Sequence, residues 1–548
     1  MINNSKRINT ILFFLIYAIS FGIVLNKCRY GFVNVDESLY VALPYRILQG
    51  DALFLNEWNL SQLMTIPLYP FLKAWFLTGH DLNGISLYWR YVYTVVNAVS
   101  GLILYSLFRK ENENGAMCGA LAFMIFAPYN IPALSYNSGA IIAITLSLAI
   151  LWTSKRKLTD YIAGVLFGIG IICYPYAVVF YVYLVIVIFL LRPDRKWHVI
   201  SFFTLGNATM LIVLLAAIFS RCSLAQLLKV IPIMVGGETE GHTGGIKYKL
   251  ISFVPVILNA NAFNKYLIIA FAACILGVIV LKKAPRRYFT YAAMAVTLAG
   301  IILSFTSENY INHLMVAISF CGLYFFAAYR QCRELFYFMW LPGILLSVVM
   351  HIQSNNGFYA ISCAGAITII CSTVVICKGI KEEKEKPTAT ICMILCALIF
   401  IAQIGGELYI RANNVFWEEG LSVKDQTELI SDGPSKGIYV TKEKKDLYYS
   451  YYNDVKEKVS DDEKVLFLTD KSWLYLFGAY ENASYSPWTY GVVDVAVGML
   501  EKYYEVNPDK KPTLIFVDRE FTEYQPKMEE AGYHVLTKTE EGNLIMVQ

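Results

Sequence analysis

Thirteen apolar runs, most of them bounded by charge and long enough or nearly long enough to cross a bilayer, constrain what this 548-residue chain can become. They lie near 8–25, 91–108, 115–131, 137–153, 158–174, 176–191, 198–220, 266–281, 288–305, 311–328, 335–351, 357–377 and 388–409. A segment in lipid has no water to satisfy its backbone, so a run of about 20 apolar residues must close its hydrogen bonds internally as a helix. Composition agrees, with 57% hydrophobic residues, 16% charged residues and a mean hydropathy of +0.49, well outside the mix of a soluble domain. The runs on either side of "CYPY" (173–176) are read as separate. Pro175 interrupts the helical ladder, and the outer flanks at 155–157 and 192–196 are both basic.

Lys and Arg favour the cytoplasmic side of a membrane. With Lys6 and Arg7 inside, the same side collects the basic pairs and clusters at 109–110, 155–157, 192–196, 282–287 and 378–386, together with Arg330 and Arg333. The short loops opposite, at 132–136, 306–310 and 352–356, contain no Lys or Arg. The expected topology is a multi-pass plasma-membrane protein with a cytoplasmic N-terminus and an extracytoplasmic C-terminal region. Two long loops, 26–90 and 221–265, then face outward. The first run is too long, and lacks the small-residue cleavage site, for a removable signal. A net charge of +4, dispersed over many loops, offers no patch for nucleic acid. The twelve cysteines all precede residue 397, nearly all in apolar runs, and show neither a disulfide framework nor a metal-binding pattern.

From Arg411 onward the composition becomes that of a soluble domain, so the chain divides into a membrane region, 1–410, and an extracytoplasmic domain, 411–548. Strand-type runs at 464–470, 474–480 and 513–518 alternate with amphipathic helices over 445–459 and 493–506, which predicts a small α/β domain. The many tyrosines of "DLYYSYYND" (446–454) suit either packing or carbohydrate recognition. Asn482 heads an "NAS" sequon. The Gly-rich stretch "VGGETEGHTGG" (235–245) has no strand before it and no helix opening on it, and is read as a mobile loop.

The feature with chemical content is the adjacent acid pair Asp36 and Glu37, directly after the first span. Leu39, Leu43 and Ile47 follow at helical spacing, so both acids belong to the first turn of a helix, expected to lie along the membrane surface. A helix N-terminus favours carboxylates in their charged form. The amphipathic stretch 57–79 makes the loop a folded cap.

The order of "VDESLY" (35–40), "ILQGD" (47–51), Pro67, "FLTG" (76–79) and "YWRYVYTVVNAVSGLILY" (88–105) resembles the GT-C superfamily of integral-membrane glycosyltransferases. Within it the chain is similar to the branch holding the protein mannosyltransferases and the lipid A aminoarabinose transferases. Thirteen spans, large outer loops, a C-terminal domain on the same face and "NHLMVAISF" (312–320) at a late span extend the likeness over the membrane region. The resemblance implies transfer of a hexosyl or pentosyl group, with inversion, from a polyprenyl-phosphate donor to a cell-envelope glycan, lipid or protein. An acceptor hydroxyl needs a positioned base, for which Asp36 is the first choice, with Glu37 sharing the role or orienting the acceptor. The departing phosphate needs cations or hydrogen-bond donors. The outward-facing candidates are Arg46, Arg90, His242, Lys247, Lys249 and His313, with Tyr310 beside the last; Arg46 and Arg90 can equally contact membrane lipids. The Glu-Lys-Pro stretch of the aminoarabinose transferases is replaced by "SQLMTI" (61–66), and neither a D-x-D in the outer loops nor a WWDYG is present. No metal or other cofactor is therefore expected. The competing readings are a transporter or lipid flippase, against which the spans carry few ionisable groups and no convincing internal repeat, and a scaffold whose tail binds a wall component.

Overall fold

In the computed structural model the described residues are 2–32, 36–241, 246–259, 264–281, 285–305, 310–329, 332–353, 357–383, 385–415, 422–488 and 493–548. Within these, the side chains of 2–6, 236–241, 246, 264, 310–315 and 359 are not described. Each of the thirteen apolar runs contains helix. Among the described residues, seven helices are long and apolar enough to cross a membrane: Arg7–Lys27, Ile85–Phe108, Tyr136–Thr153, Lys196–Phe219, Arg286–Ser304, Arg333–Gln353 and Lys386–Asn413. Shorter apolar helices, Pro175–Leu191, Leu224–Val235, Lys265–Val280 and Val316–Tyr329, fill the bundle between them. This is a multi-pass helical membrane protein.

Local chemistry explains the breaks. One helix ends at Cys173, and Pro175 opens a 3-10 turn that leads into the helix Val179–Leu191. The bundle packs closely where small residues face each other. A Cβ on Gly164 would lie 2.1 Å from the Phe203 carbonyl oxygen, and one on Gly206 would lie 2.3 Å from that of Tyr161. The helices Lys157–Cys173 and Lys196–Phe219 are thus in backbone contact, the device by which helices associate in lipid without a hydrophobic driving force.

The first outer loop is a folded cap, as its amphipathicity predicts, but its first helix is not a surface helix. Every residue from Glu37 to Arg46 in the helix Asp36–Gln49 is buried. It is sandwiched between the helices Thr65–Leu77 and Ile85–Phe108 and the C-terminal turn Ser472–Leu476. The second outer loop also differs from expectation, since helix Leu224–Gly241 runs through most of the glycines and helix Ile246–Asn259 follows.

The C-terminal domain is α/β. Strands β1 (Glu428–Leu429) and β2 (Tyr439–Val440) form a small antiparallel pair. The main sheet contains β3 (Lys464–Leu468), β4 (Glu481–Asn482), β5 (Leu514–Val517), β6 (His534–Lys538) and β7 (Leu544–Val547), in the order β4-β3-β5-β7-β6. β3 is parallel to β4 and β5, while β7 is antiparallel to β5 and β6. The expected helices are present as Lys442–Lys458 and Val493–Val506. The run 474–480 is not a strand: it begins in the 3-10 turn Ser472–Leu476, whose side chains are all buried. A continuous aromatic run reads the same from sequence whichever way it is buried. Tyr448 stacks on Trp473 at 5.5 Å and Tyr451 donates to Asp518 at 2.7 Å, so these tyrosines pack the domain. Asn482 is 5% exposed within β4, so the sequon asparagine faces inward.

The domain docks on the first loop through backbone and rings. Gly31 N–H donates to the Tyr439 carbonyl at 2.8 Å and Tyr439 N–H to that of Arg29 at 2.7 Å. Phe32 packs edge-on against Trp473 and Tyr448.

Gly164→Val is expected to drive helices Lys157–Cys173 and Lys196–Phe219 apart and lower the thermal midpoint by an amount reflecting roughly 1–3 kcal/mol of overpacking; a thermal melt in detergent reads this. Inside the domain, buried Asp518 accepts from Thr469 at 2.7 Å and from Lys471 at 2.8 Å. Burial opposes its ionisation, yet Lys471 and these hydrogen bonds hold its carboxyl below the usual carboxylate range. Its stabilising contribution is therefore present above the unfolded value, about pH 4, and is lost as pH falls further. Domain unfolding followed against pH should steepen below that point, and Asp518→Asn should remove the added acid sensitivity.

Candidate functional site

The two acids, adjacent in sequence, have different surroundings. Glu37, 2% exposed, has both carboxylate oxygens on Arg90, one meeting Nε and the other meeting Nη2 at 2.6 Å. Arg90, 1% exposed, also donates to the carbonyls of Cys28 at 2.8 Å and Gly31 at 2.9 Å. This fork ties the end of the first span, the turn after it, the start of the Asp36 helix and the span Ile85–Phe108 into one unit. Asp36 opens the helix and is half-buried. Tyr40 lies one turn on, on the same face; burial and then the Asp36 carboxylate hold its phenol well above the usual range. Tyr40 meets Tyr136 edge-on at 5.9 Å, and Tyr136 stacks on Tyr174 at 6.2 Å, giving the acid an aromatic wall.

Of the expected phosphate ligands, two are held elsewhere by their partners. Arg90 is consumed by Glu37 and carbonyls, as above. Arg46 sits near the far end of the same helix, 2% exposed, with its donors on Asp51, Glu57, the carbonyls of Asn56 and Ser484, and the Tyr503 hydroxyl. Burial alone would weaken its charge, but Asp51 and Glu57 keep its guanidinium more firmly protonated than usual. Both arginines therefore differ from the expectation of outward-facing cations: they are structural charges with full coordination. Lys247 is exposed on helix Ile246–Asn259. His242 lies outside the described residues. The backbones of Tyr310 and His313 lie in the first turn of helix Tyr310–Tyr329, and their side chains are not described.

The site also contains cations that sequence reading did not single out. Arg411, 2% exposed, ends the last span and donates from Nη1 to the carbonyl and side-chain oxygens of Asn130. Among the described residues its Nε and Nη2, like the Asn130 side-chain nitrogen, meet no acceptor. Lys27, also 2% exposed, ends the first span and donates to the Val415 carbonyl. Lys27, Arg90 and Arg411 lie within electrostatic reach of one another. Asn130 and its neighbour Tyr129 hold left-handed backbone conformations, with φ of 58° and 54°. A signal was present in the sequence: on the expected topology three spans carry a Lys or Arg at the end where basic residues are disfavoured. The charge of a buried guanidinium is costly unless an anion or acceptor meets it.

Among the described residues, one group of acids has ligand atoms close enough for a metal ion: Asp470, Asp518 and Glu520. The Lys471 ammonium bonds all three, at 3.0, 2.8 and 2.8 Å, so a cation already stands there.

No family model and no curated protein matches this chain. Among solved structures it is similar to ArnT from Cupriavidus metallidurans in the apo state, with a TM-score of 0.43 and 11% identity over 99% of this chain and 98% of that one. The same protein bound to undecaprenyl phosphate gives a TM-score of 0.44 and 11% identity over 98% and 97%.

Glu37→Gln is expected to break the Arg90 fork and destabilise the fold by about 3–5 kcal/mol, whereas Asp36→Asn, at a half-buried position, costs less than Glu37→Gln. Thermal unfolding of the two purified variants measures the contrast.

Proposed function

We propose that the protein is a lipid-linked sugar transferase, moving a glycosyl group from a polyprenyl-phosphate donor to a hydroxyl of a cell-envelope acceptor. The observation that supports this reading best is the sorting of charge at one end of the helical bundle. Glu37 is neutralised by Arg90, Asp36 stands half-buried in the first turn of the same helix, and Arg411 has two buried donors that meet no acceptor among the described residues. The reading also agrees with the GT-C resemblance of the sequence.

In this reaction Asp36 accepts the proton of the acceptor hydroxyl as its oxygen attacks the anomeric carbon. The bond from that carbon to the phosphate oxygen breaks, and the electron pair leaves with the polyprenyl phosphate. In-line attack inverts the anomeric centre. Arg411 and Lys27 meet the charge that grows on the leaving phosphate, which is where fixed cations contribute most. His242, Lys247, Tyr310 and His313 stay candidates for the outer side of the same anion. The aromatic wall of Tyr40, Tyr136 and Tyr174 offers faces for the sugar ring. The mechanism needs no metal, because side-chain cations answer the leaving group. It operates on the outer face, with the N-terminus cytoplasmic.

The test is transfer by the purified full-length protein from a panel of polyprenyl-phosphate sugars to a cell-envelope extract. Asp36→Asn is expected to lower kcat by roughly 100- to 10,000-fold with little change in donor KM, and Arg411→Gln to raise donor KM. Wild-type turnover by Asp36→Asn, or no donor consumed by the wild type, would overturn the reading.

A further inference from the structure

The last span carries a polar row through an apolar bundle. Gln403, Glu407 and Arg411 follow one another at four-residue spacing on helix Lys386–Asn413, so they share one face, and all three are buried. Gln403 Nε2 donates to Glu407 Oε1 at 2.7 Å. Gln403 Oε1 and Glu407 Oε2 are acceptors that meet no donor among the described residues, while Arg411 Nε and Nη2 and the Asn130 side-chain nitrogen are donors that meet no acceptor. Burying such groups without partners costs free energy, most of all for the charged ones.

Two arrangements of Glu407 complete the row, and they differ by one proton. As a carboxylate it belongs with Arg411. The two lie within electrostatic reach, and the acid is one turn N-terminal to the base, the favourable order on a helix. Glu37, the other buried acid at this end, is already held on Arg90. As a neutral acid Glu407 belongs with Gln403. A proton on Oε2 makes that oxygen a donor, and the unpartnered Gln403 Oε1 is the acceptor beside the bond that Gln403 Nε2 already makes, so carboxyl and amide then join through two hydrogen bonds. An anion that takes the Arg411 and Asn130 donors decides between the two arrangements. It displaces the carboxylate, and a buried carboxylate without a counter-ion takes up a proton.

The remaining titratable groups around this end are Lys27 and Cys28 at the end of the first span, Arg90 and Tyr93 on Ile85–Phe108, and Tyr310 and His313 at the start of Tyr310–Tyr329, whose side chains are not described. Lys424 and Asp425, in the turn after the last span, are exposed. Away from the ends that hold Arg286, Glu113 and Lys381, the packed helices Arg286–Ser304, Glu113–Ile125 and Gly365–Lys381 carry no ionisable group but Tyr291 and cysteines.

We propose that Glu407 is a positioning residue for Arg411, a built-in counter-ion that the phosphate of the polyprenyl carrier displaces and that passes to Gln403 with uptake of one proton from solvent. This rests on the assignment of Arg411 to the carrier phosphate above. Phosphate binding and proton binding are then coupled, and each strengthens the other by the same factor.

The experiment is calorimetric titration of the purified full-length protein in detergent with undecaprenyl phosphate. Buffers of differing ionisation enthalpy report the protons taken up, at about pH 8, above the second ionisation of a phosphate monoester. Wild type is expected to take up about one more proton per bound lipid than Glu407→Gln, and Glu407→Gln to bind about tenfold tighter. A readout that needs no variant is the infrared difference spectrum of wild type with and without the lipid, which should gain a protonated-carboxyl band and lose a carboxylate band. Equal proton counts in the two proteins, equal or looser binding by Glu407→Gln, or no protonated-carboxyl band overturns the inference and leaves the sugar-transfer reading to its own assay. If undecaprenyl phosphate does not bind wild type, the phosphate role of Arg411 falls and the inference falls with it.

Discussion

The Glu37–Arg90 fork is the contact on which the rest of the site depends. Two fully buried ions are costly to desolvate, and they are tolerated where geometry is bidentate and the remaining protons find acceptors. Arg90 meets both conditions, with two carboxylate oxygens and the carbonyls of the turn after the first span. The result is a fixed start for the Asp36 helix at the bundle end. It also separates two adjacent carboxylates by environment, Glu37 fully buried on Arg90 and Asp36 half-buried at the helix start. Arg411 and Lys27 have no carboxylate within salt-bridge distance among the described residues, although Glu407, one turn before Arg411, lies within electrostatic reach of it.

The C-terminal domain completes this arrangement from above. Phe32 and the backbone around Gly31 dock on Trp473 and Tyr439, next to the carbonyls that receive Arg90. At the other end of the helix, Arg46 bridges to Ser484 and Tyr503, and Asp51 to Lys510. One helix of the first loop is thus pinned at both ends by buried arginines, one facing the membrane bundle and the other the soluble domain. That explains why the helix is buried on nearly all sides despite being amphipathic in sequence.

Much of the architecture was legible because lipid imposes length and apolarity on each span, and the α/β character of the tail followed from short β-rich runs between amphipathic helices. Misreadings have specific causes. The aromatic run at 474–480 carries no period to distinguish a buried turn from a buried strand, and β6 is largely exposed and polar, so neither announces itself. The acid pair at a helix start was legible, but the difference in surroundings between Asp36 and Glu37 was not, since that depends on an arginine 53 positions away from Glu37. Arg46 was misjudged because its partners Ser484 and Tyr503 are more than 400 residues distant. Arg411 looked like the boundary of a domain, and only the packing of Asn130 against it turns a boundary residue into a buried cation.

The most direct test of this account is a double-mutant cycle on the fork, comparing thermal unfolding of wild type, Glu37→Gln, Arg90→Gln and the double variant. Residues acting as one buried unit are strongly non-additive, and the account predicts a coupling energy of about 2–3 kcal/mol, with the double variant less damaged than the sum of the singles. Additive losses would mean that Glu37 and Arg90 act independently, and the division of labour between the two acids would have no structural basis.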